Sequence, residues 1–415
     1  MPGRSKAIGH LEEYGRRDRG TPVKGWIVFN GNIVLDVDFV HRQADRILES
    51  HHVDPEVRDW RKVLLITAGW QRDEFDEAHL KRALTEIGIP SRFERGFDLN
   101  IQNLAVYHEF DAFKNSEPEI YRQYHDKQRI ILKTKELYRL KNNDFLRILR
   151  EQIQYVKNMY PGVTLAELLA YDVSHHQADL RKLAERELLF HYCCQEVQDT
   201  LSSIVANDEK MIAICGEIDR YFRSRSLVDE CRTFIQIRDA LRRRILSANS
   251  IFLFGGHVAV LLNRLQFFRL TDVFHEALWR GTNFYSVSAG SMVLADKIIV
   301  YDDFGAAGQE QPHREFEYFD KGVGLVTRVA LFPHCMDRIQ TDDPDNLSYL
   351  AHRFSSGLCV GLNQESFLLA ETCRDETSGQ VRERFVSQGT EDGVYVFDRN
   401  GNKRCYSNGE EVPVS

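Results

Sequence analysis

Ser288 stands in the run Asn283-Phe284-Tyr285-Ser286-Val287-Ser288-Ala289-Gly290-Ser291. Strand-like apolar residues lead into a serine, two small residues follow, and the short apolar stretch Met292-Val293-Leu294-Ala295 comes next. This is the sequence form of a nucleophile elbow. A sharp strand-to-helix turn lifts a hydroxyl out of a sheet, and small neighbours let the backbone turn tightly. The usual elbow has glycine two residues before and two after the serine. Here Gly290 is present and Ser286 replaces the first glycine. A nucleophilic serine needs a base in reach and a group to orient that base. The Asp302-Asp303 pair follows the apolar Ile298-Ile299-Val300-Tyr301, and His334 follows Leu331-Phe332-Pro333. In a parallel sheet the C-terminal ends of strands gather at one edge, where Ser288, Asp303 and His334 could converge. The plainer alternative is surface aspartates and an ordinary loop histidine, and Asp302 remains open as the acid. Gly255-Gly256-His257 adds an electrophilic part. It lies between an apolar strand and a helix start, where backbone N–H groups are free to point outward. With the N–H of Ala289 it could form an oxyanion hole, or it is simply a tight turn. Neither Gly-x-Gly-x-x-Gly nor a P-loop is present.

The elements that must position these residues read as α/β. Trp26 to Phe29 and Val63 to Thr67 are apolar strands ending in Asn30-Gly31-Asn32 and Ala68-Gly69, with a helix from Val40 to Ser50 between them. Glu77 to Ile87 has helical spacing, and Ser91 to Phe97 reads as a third strand. Buried strands alternating with helices indicate a parallel sheet covered on both faces. From about Ala105 to 247 the chain is rich in Leu, Arg, Glu, Lys and Gln and nearly free of Pro and Gly. Ile130 to Tyr160, Leu165 to Tyr171, Gln177 to Ala206, Glu209 to Arg225 and Asp229 to Ala248 read as helices. The α/β pattern returns at Ile251, with strands at Lys297–Tyr301, Leu325–Phe332, Leu358–Gly361 and Phe367–Ala370. The expected organisation is a polar tail over 1–22 and an α/β domain in two parts, 23–104 and 248–375. A helical insertion over 105–247 splits it, and a β-rich finish spans 376–415.

Composition narrows the class. A formal net charge of −8 argues against binding nucleic acid through bulk charge. The apolar runs are too short to span a bilayer, and no apolar leader follows the polar N-terminus. The expectation is a cytoplasmic protein that engages neither membrane nor nucleic acid. Eight cysteines without Cys-x-x-Cys or His/Cys ligand spacing read as free thiols, not a zinc site.

The order of motifs resembles the serine peptidase family of peptidase E and cyanophycinase, proteins similar in fold to class I glutamine amidotransferases. Gly255-Gly256-His257, Ser286-Val287-Ser288-Ala289-Gly290-Ser291 and Phe332-Pro333-His334-Cys335 occupy the places of the family's glycine turn, serine elbow and histidine segment. The spacing of Asp303 matches the acid of peptidase E. Arg338 matches an arginine that follows the histidine in cyanophycinase-like members, and Gly361-Leu362-Asn363-Gln364-Glu365 loosely matches their Gly-Ile-Asp-Glu segment. The resemblance covers roughly 23–100 and 248–400 and leaves out the helical insertion. It implies a flavodoxin-like parallel sheet and a Ser288, His334, Asp303 triad. It further implies an oxyanion hole at Gly256 and Ala289, substrate contacts from His257, Arg338 and Glu365, and no metal or organic cofactor. Ser286, Ser291 and His257 depart from the pattern, and His257 does so where the family contacts substrate. The expected activity is hydrolysis of a peptide or isopeptide bond next to an acidic residue. The rival expectation is a diverged, inactive scaffold whose insertion binds a partner. A large helical insertion also suggests a homo-oligomer, a dimer first.

Overall fold

In a computed structural model the described residues are 24–31, 36–174, 183–301, 316–354, 357–374, 381–389 and 393–413. The expected tail, His175-His176 and the Asp302-Asp303 pair lie outside them. In chain order the first part contains β1 (Ile27–Asn30), α1 (Asp36–Arg42), α2 (Ala44–Leu48), α3 (Pro55–Trp60), β2 (Val63–Ile66) and α4 (Ala78–Glu86). It continues with β3 (Phe93–Glu94), β4 (Phe97–Asp98) and β5 (Ile101–Asn103). Helices follow: α5 (Val106–Ser116), α6 (Pro118–Met159), α7 (Leu165–Ala170), α8 (Glu185–Ser226) and α9 (Arg232–Leu246). Then come β6 (Ser250–Leu253), α10 (Val258–Phe267), α11 (Thr271–Trp279), β7 (Asn283–Val287), α12 (Ala289–Leu294), β8 (Lys297–Tyr301), β9 (Phe316–Lys321) and β10 (Val329–Pro333). The chain finishes with α13 (Cys335–Arg338), α14 (Pro344–Phe354), β11 (Leu358–Leu362), β12 (Ser366–Arg374), β13 (Val381–Gly389), β14 (Val394–Phe397), β15 (Lys403–Tyr406) and β16 (Glu411–Val412).

The main sheet has the order β16-β13-β12-β1-β7-β6-β2-β5. Its five strands from β1 to β5 run parallel, and β12 joins β1 antiparallel. Every residue of β1, β2, β6 and β7 is buried, as strands with helices on both faces require. Side chains alternate between two cores. Phe29, Leu64, Leu253 and Phe284 pack toward one face, and Val28, Leu65, Phe252 and Tyr285 toward the other. From β2 the chain steps outward to β5 and then back to β6 on the opposite side. The strand order therefore reverses between β2 and β6, and such reversals open a crevice at the strands' C-terminal ends. A second sheet, β10-β11-β14-β15, abuts the first through the β11–β12 link. This is the expected flavodoxin-like α/β fold with a long helical region.

Three local expectations change. The segment read as a strand over Ser91 to Phe97 forms an exposed ribbon, with Phe93 and Phe97 69% and 74% exposed, and Ile101–Asn103 is the parallel strand instead. The Asp98 carboxylate accepts the N–H groups of Arg92, Asn100 and Ile101, closing the ribbon and starting that strand. The helix expected from Val40 starts at Asp36 and breaks at Gln43. The break expected near Asn207-Asp208 is absent, and α8 runs through it. Both residues are buried there, with Asn207 donating to Asn142, and Asp208 accepting from Asn142 and Arg353. The helices α6 and α8, 42 residues each, form an antiparallel arm. Lys127 pairs with Asp219 near one end and Tyr160 Oη donates to the Arg186 carbonyl near the other. Among the described residues no helix is long and apolar enough to cross a membrane.

Candidate active site

β7 delivers Ser288 to the crevice edge. Ser288 has φ 49° and ψ −111°, a conformation a side chain rarely adopts and one that persists only where surroundings over-determine it. Its N–H donates to the Asn30 carbonyl at 3.0 Å, tying the turn to the end of β1. Gly290 lies against the end of β6, where a Cβ would come within 2.2 Å of the Leu253 carbonyl oxygen, so the residue two after the serine must be glycine. The two departures from the elbow pattern form one unit. The buried hydroxyls of Ser286 and Ser291 lie 3.0 Å apart. Ser291 donates to the Asn30 carbonyl at 2.8 Å and accepts the Asn30 N–H at 3.2 Å, and Ser286 reaches the Val28 carbonyl at 3.0 Å. Where the usual pattern has small apolar residues, this chain fastens the elbow to β1 by hydroxyls.

His334 arrives from the second sheet, not from the sheet that carries Ser288. β10 ends at Pro333, and His334 turns into α13 with φ 57°. Its Nε2 stands 3.4 Å from Ser288 Oγ. The convergence expected at one sheet edge is thus made across two sheets, joined by the β11–β12 link. Cys335, next to the histidine, is fully buried with its Sγ against Gly361, and burial pushes its thiol up to about 12. That is a packing residue and not a nucleophile.

The glycine turn closes the other side. A Cβ on Gly255 would sit 3.3 Å from Ser288 Cβ and 3.8 Å from the Ala289 nitrogen. Gly256 has φ 107°, and a Cβ there would meet the Gly69 carbonyl oxygen at 2.7 Å. The His257 N–H donates to that carbonyl at 3.0 Å. The loop after β2 therefore shapes the turn, a contribution the sequence reading missed. That loop is braced in turn. The Glu74 backbone carbonyl accepts from Thr67 Oγ1 and Asn103 Nδ2, and the fully buried Glu74 carboxylate accepts from the N–H groups of Tyr107 and His108. Glu74 lies eight residues past the end of β2, and nothing in the local sequence marks it as buried.

The remaining expected residues are placed as follows. His257 caps α10, its Nδ1 accepting the Val260 N–H at 3.4 Å, and its ring is exposed. Arg338 is half-buried on α13, its guanidinium 5.3 Å from the Tyr301 ring. Glu365 has φ 60° in the β11–β12 link and pairs with Arg42 at 3.0 Å. The neighbouring Ser366 carbonyl accepts from Asn30 Nδ2, so this link touches the strand end that holds Ser288. Asp303 lies outside the described residues. Among those residues no group of His, Cys, Asp and Glu could hold a metal ion.

Residues 206–372, about two fifths of the chain, match the model of peptidase family S51. No curated protein matches the sequence. Among solved structures, that of a peptidase from an acI-B1 Actinobacterium aligns over 94% of this chain and 97% of that one, at 11% identity and a TM-score of 0.45. So slight a likeness adds nothing to the family match, which spans the glycine turn, the elbow, His334 and Glu365. Over that span the chain is similar to peptidase family S51, which supports its resemblance to peptidase E and cyanophycinase and the reading of a serine peptidase.

Proposed function

We propose that the protein hydrolyses a peptide or isopeptide bond through Ser288, His334 and Asp303. The observation that carries this is the 3.4 Å approach of Ser288 Oγ to His334 Nε2, made by two strained turns from different sheets. His334 Nε2 takes the Ser288 proton as Oγ attacks the carbonyl carbon. The oxyanion faces the N–H groups of Gly256 and Ala289, and a donor so placed is worth about 10²–10³ in rate. His334 then passes the proton to the leaving amine, and water releases the acyl group by the same steps in reverse. Asp303 holds the imidazole in the right tautomer. No step calls for a metal or organic cofactor. His257, Arg338 and Glu365 face the substrate, and the Arg338 guanidinium favours an acidic side chain next to the scissile bond. The protein is read as cytoplasmic, with no nucleic acid or membrane partner.

A fluorophosphonate probe tests this. The expected result is one adduct, on the peptide that contains Ser288, absent in Ser288→Ala and slowed in His334→Ala. A wild-type protein that neither labels nor hydrolyses acidic dipeptides and isopeptides would instead fit a scaffold that acts through its helical arm.

A further inference from the structure

The outer face of α6 carries an apolar stripe that the described residues leave uncovered. Ile130, Leu137, Ile148, Tyr155 and Met159 are between 38% and 64% exposed. Their spacings are close to whole helical turns, so they line one face over about 43 Å at about 1.5 Å per residue. The opposite flank of the helix is occupied, since Lys135, Arg139 and Lys157 reach Asp320, Glu317 and Asp345 of the body. Beside the stripe, α6 and α8 form a groove of about 350 Å³ lined by Ile148, Tyr155, Val156, Tyr192 and Cys193. Soluble proteins rarely leave so long an apolar surface to water.

The charges on the stripe say what covers it. Most charges along α6 are matched within the chain, as in Arg122–Glu119, Arg129–Asp126, Lys133–Glu136 and Arg147–Glu151. At the stripe's centre stand Lys141 and Asp144, both exposed, and neither meets an opposite charge among the described residues. We propose that α6 pairs with α6 of a second copy, antiparallel about a two-fold axis between Asn142 and Asn143. That axis sets Ile130 opposite the partner's Tyr155 and Leu137 opposite the partner's Ile148. It sets Lys141 opposite the partner's Asp144, and the two-fold repeats every contact. One surface thus supplies both halves of an isologous seam, apolar along its length and charge-matched at its centre. The dimer forms through the arm and stands apart from the chemistry at Ser288.

Sedimentation velocity on the full chain, from about 1 to about 50 µM, tests the seam. The wild type is expected to be a dimer. Lys141→Asp and Asp144→Lys each place like charges opposite one another twice, and each should weaken dimerisation by at least about tenfold. The double variant K141D/D144K restores opposite charges and should restore the dimer. Circular dichroism of each variant establishes that the arm is folded. A monomeric wild type at the top of this range, a dimer indifferent to both single reversals, or a double variant that stays dissociated would each overturn the inference.

Discussion

At the scale of single residues, the site is a serine and a histidine held in conformations that their own side chains disfavour. The elbow is secured by hydrogen bonds to one backbone unit. Asn30 accepts the Ser288 N–H and both gives and receives a bond with Ser291 Oγ. Ser291→Ala would leave the buried Asn30 N–H without its acceptor, a loss of about 1–3 kcal/mol in a urea unfolding titration. Fluorophosphonate labelling should slow as well, because the turn is fixed through Asn30. Unchanged stability would show that the hydroxyl pair holds nothing. His334→Ala should cut the labelling rate by about 10²–10⁴, the usual worth of a positioned general base, with the unfolding midpoint preserved. A variant that labels at the wild-type rate would remove His334 from the mechanism.

At the scale of elements, two junctions illustrate how buried backbone and side chains fix local structure. Gly290→Ala drives a methyl into the Leu253 carbonyl, and the helix after the elbow cannot shift without moving Ser288. We expect roughly 3 kcal/mol or more of destabilisation together with loss of labelling. A stable, reactive G290A would contradict the packing at the end of β6. The second junction, between α2 and α3, faces away from the chemistry. His52 is fully buried there, its Nδ1 accepting the Asp54 N–H at 3.0 Å. Burial and then the Arg280 charge lower its pKa to about 4 from an ordinary 6.5. The unfolded chain therefore takes up a proton near pH 6.5 that the folded chain refuses until about pH 4. Stability should fall as the pH drops through that window, by up to roughly 3 kcal/mol, and be recovered above it. His52→Asn keeps an acceptor for Asp54 and does not titrate, so its stability should fall clearly less over the same window, the remainder coming from groups such as His352, whose pKa burial also lowers. An equal fall in the variant would assign the acid sensitivity to other groups.

At the scale of the whole molecule, the arm is tied to the histidine side of the site through one buried ion pair. Asp208 on α8 accepts from the Arg353 guanidinium of α14 at 2.8 Å, and both side chains are nearly free of solvent. Arg353 also donates to the Phe316 carbonyl at 3.0 Å. The Phe316 ring packs 5.7 Å from Phe332, two residues before His334. Asp208→Ala strands a buried guanidinium and should cost about 3–5 kcal/mol, whereas the double change D208A/R353M should cost clearly less. Equal losses in the two, measured by urea unfolding, would mean that the pair itself is not what matters.

Local sequence was enough for much of this molecule. Short apolar runs such as Val63-Leu64-Leu65-Ile66, ended by Ala68-Gly69, fit strands buried on both faces, and long Leu-, Arg- and Glu-rich runs without Pro or Gly fit helices, so the α/β class and the helical region were legible. The elbow was legible too, because a turn that tight demands small residues at fixed places around a serine. Which strand ends meet is not a local property. His334 reaches Ser288 from a second sheet beside the β11–β12 link, and Gly69 shapes the Gly255-Gly256 turn from a loop far earlier in the chain. Phe93 and Phe97 carry strand propensity and yet stay in water, since Asp98 closes their ribbon before it can join the sheet. Asn207 and Asp208 look like a helix break until Asn142 and Arg353 satisfy them. Ser286 and Ser291 looked like decay of the motif, and only the packing of β1 beside β7 makes them a clasp. In each case hydrogen-bond partners distant in sequence decided what a residue does, and those partners exist only once the sheets have assembled.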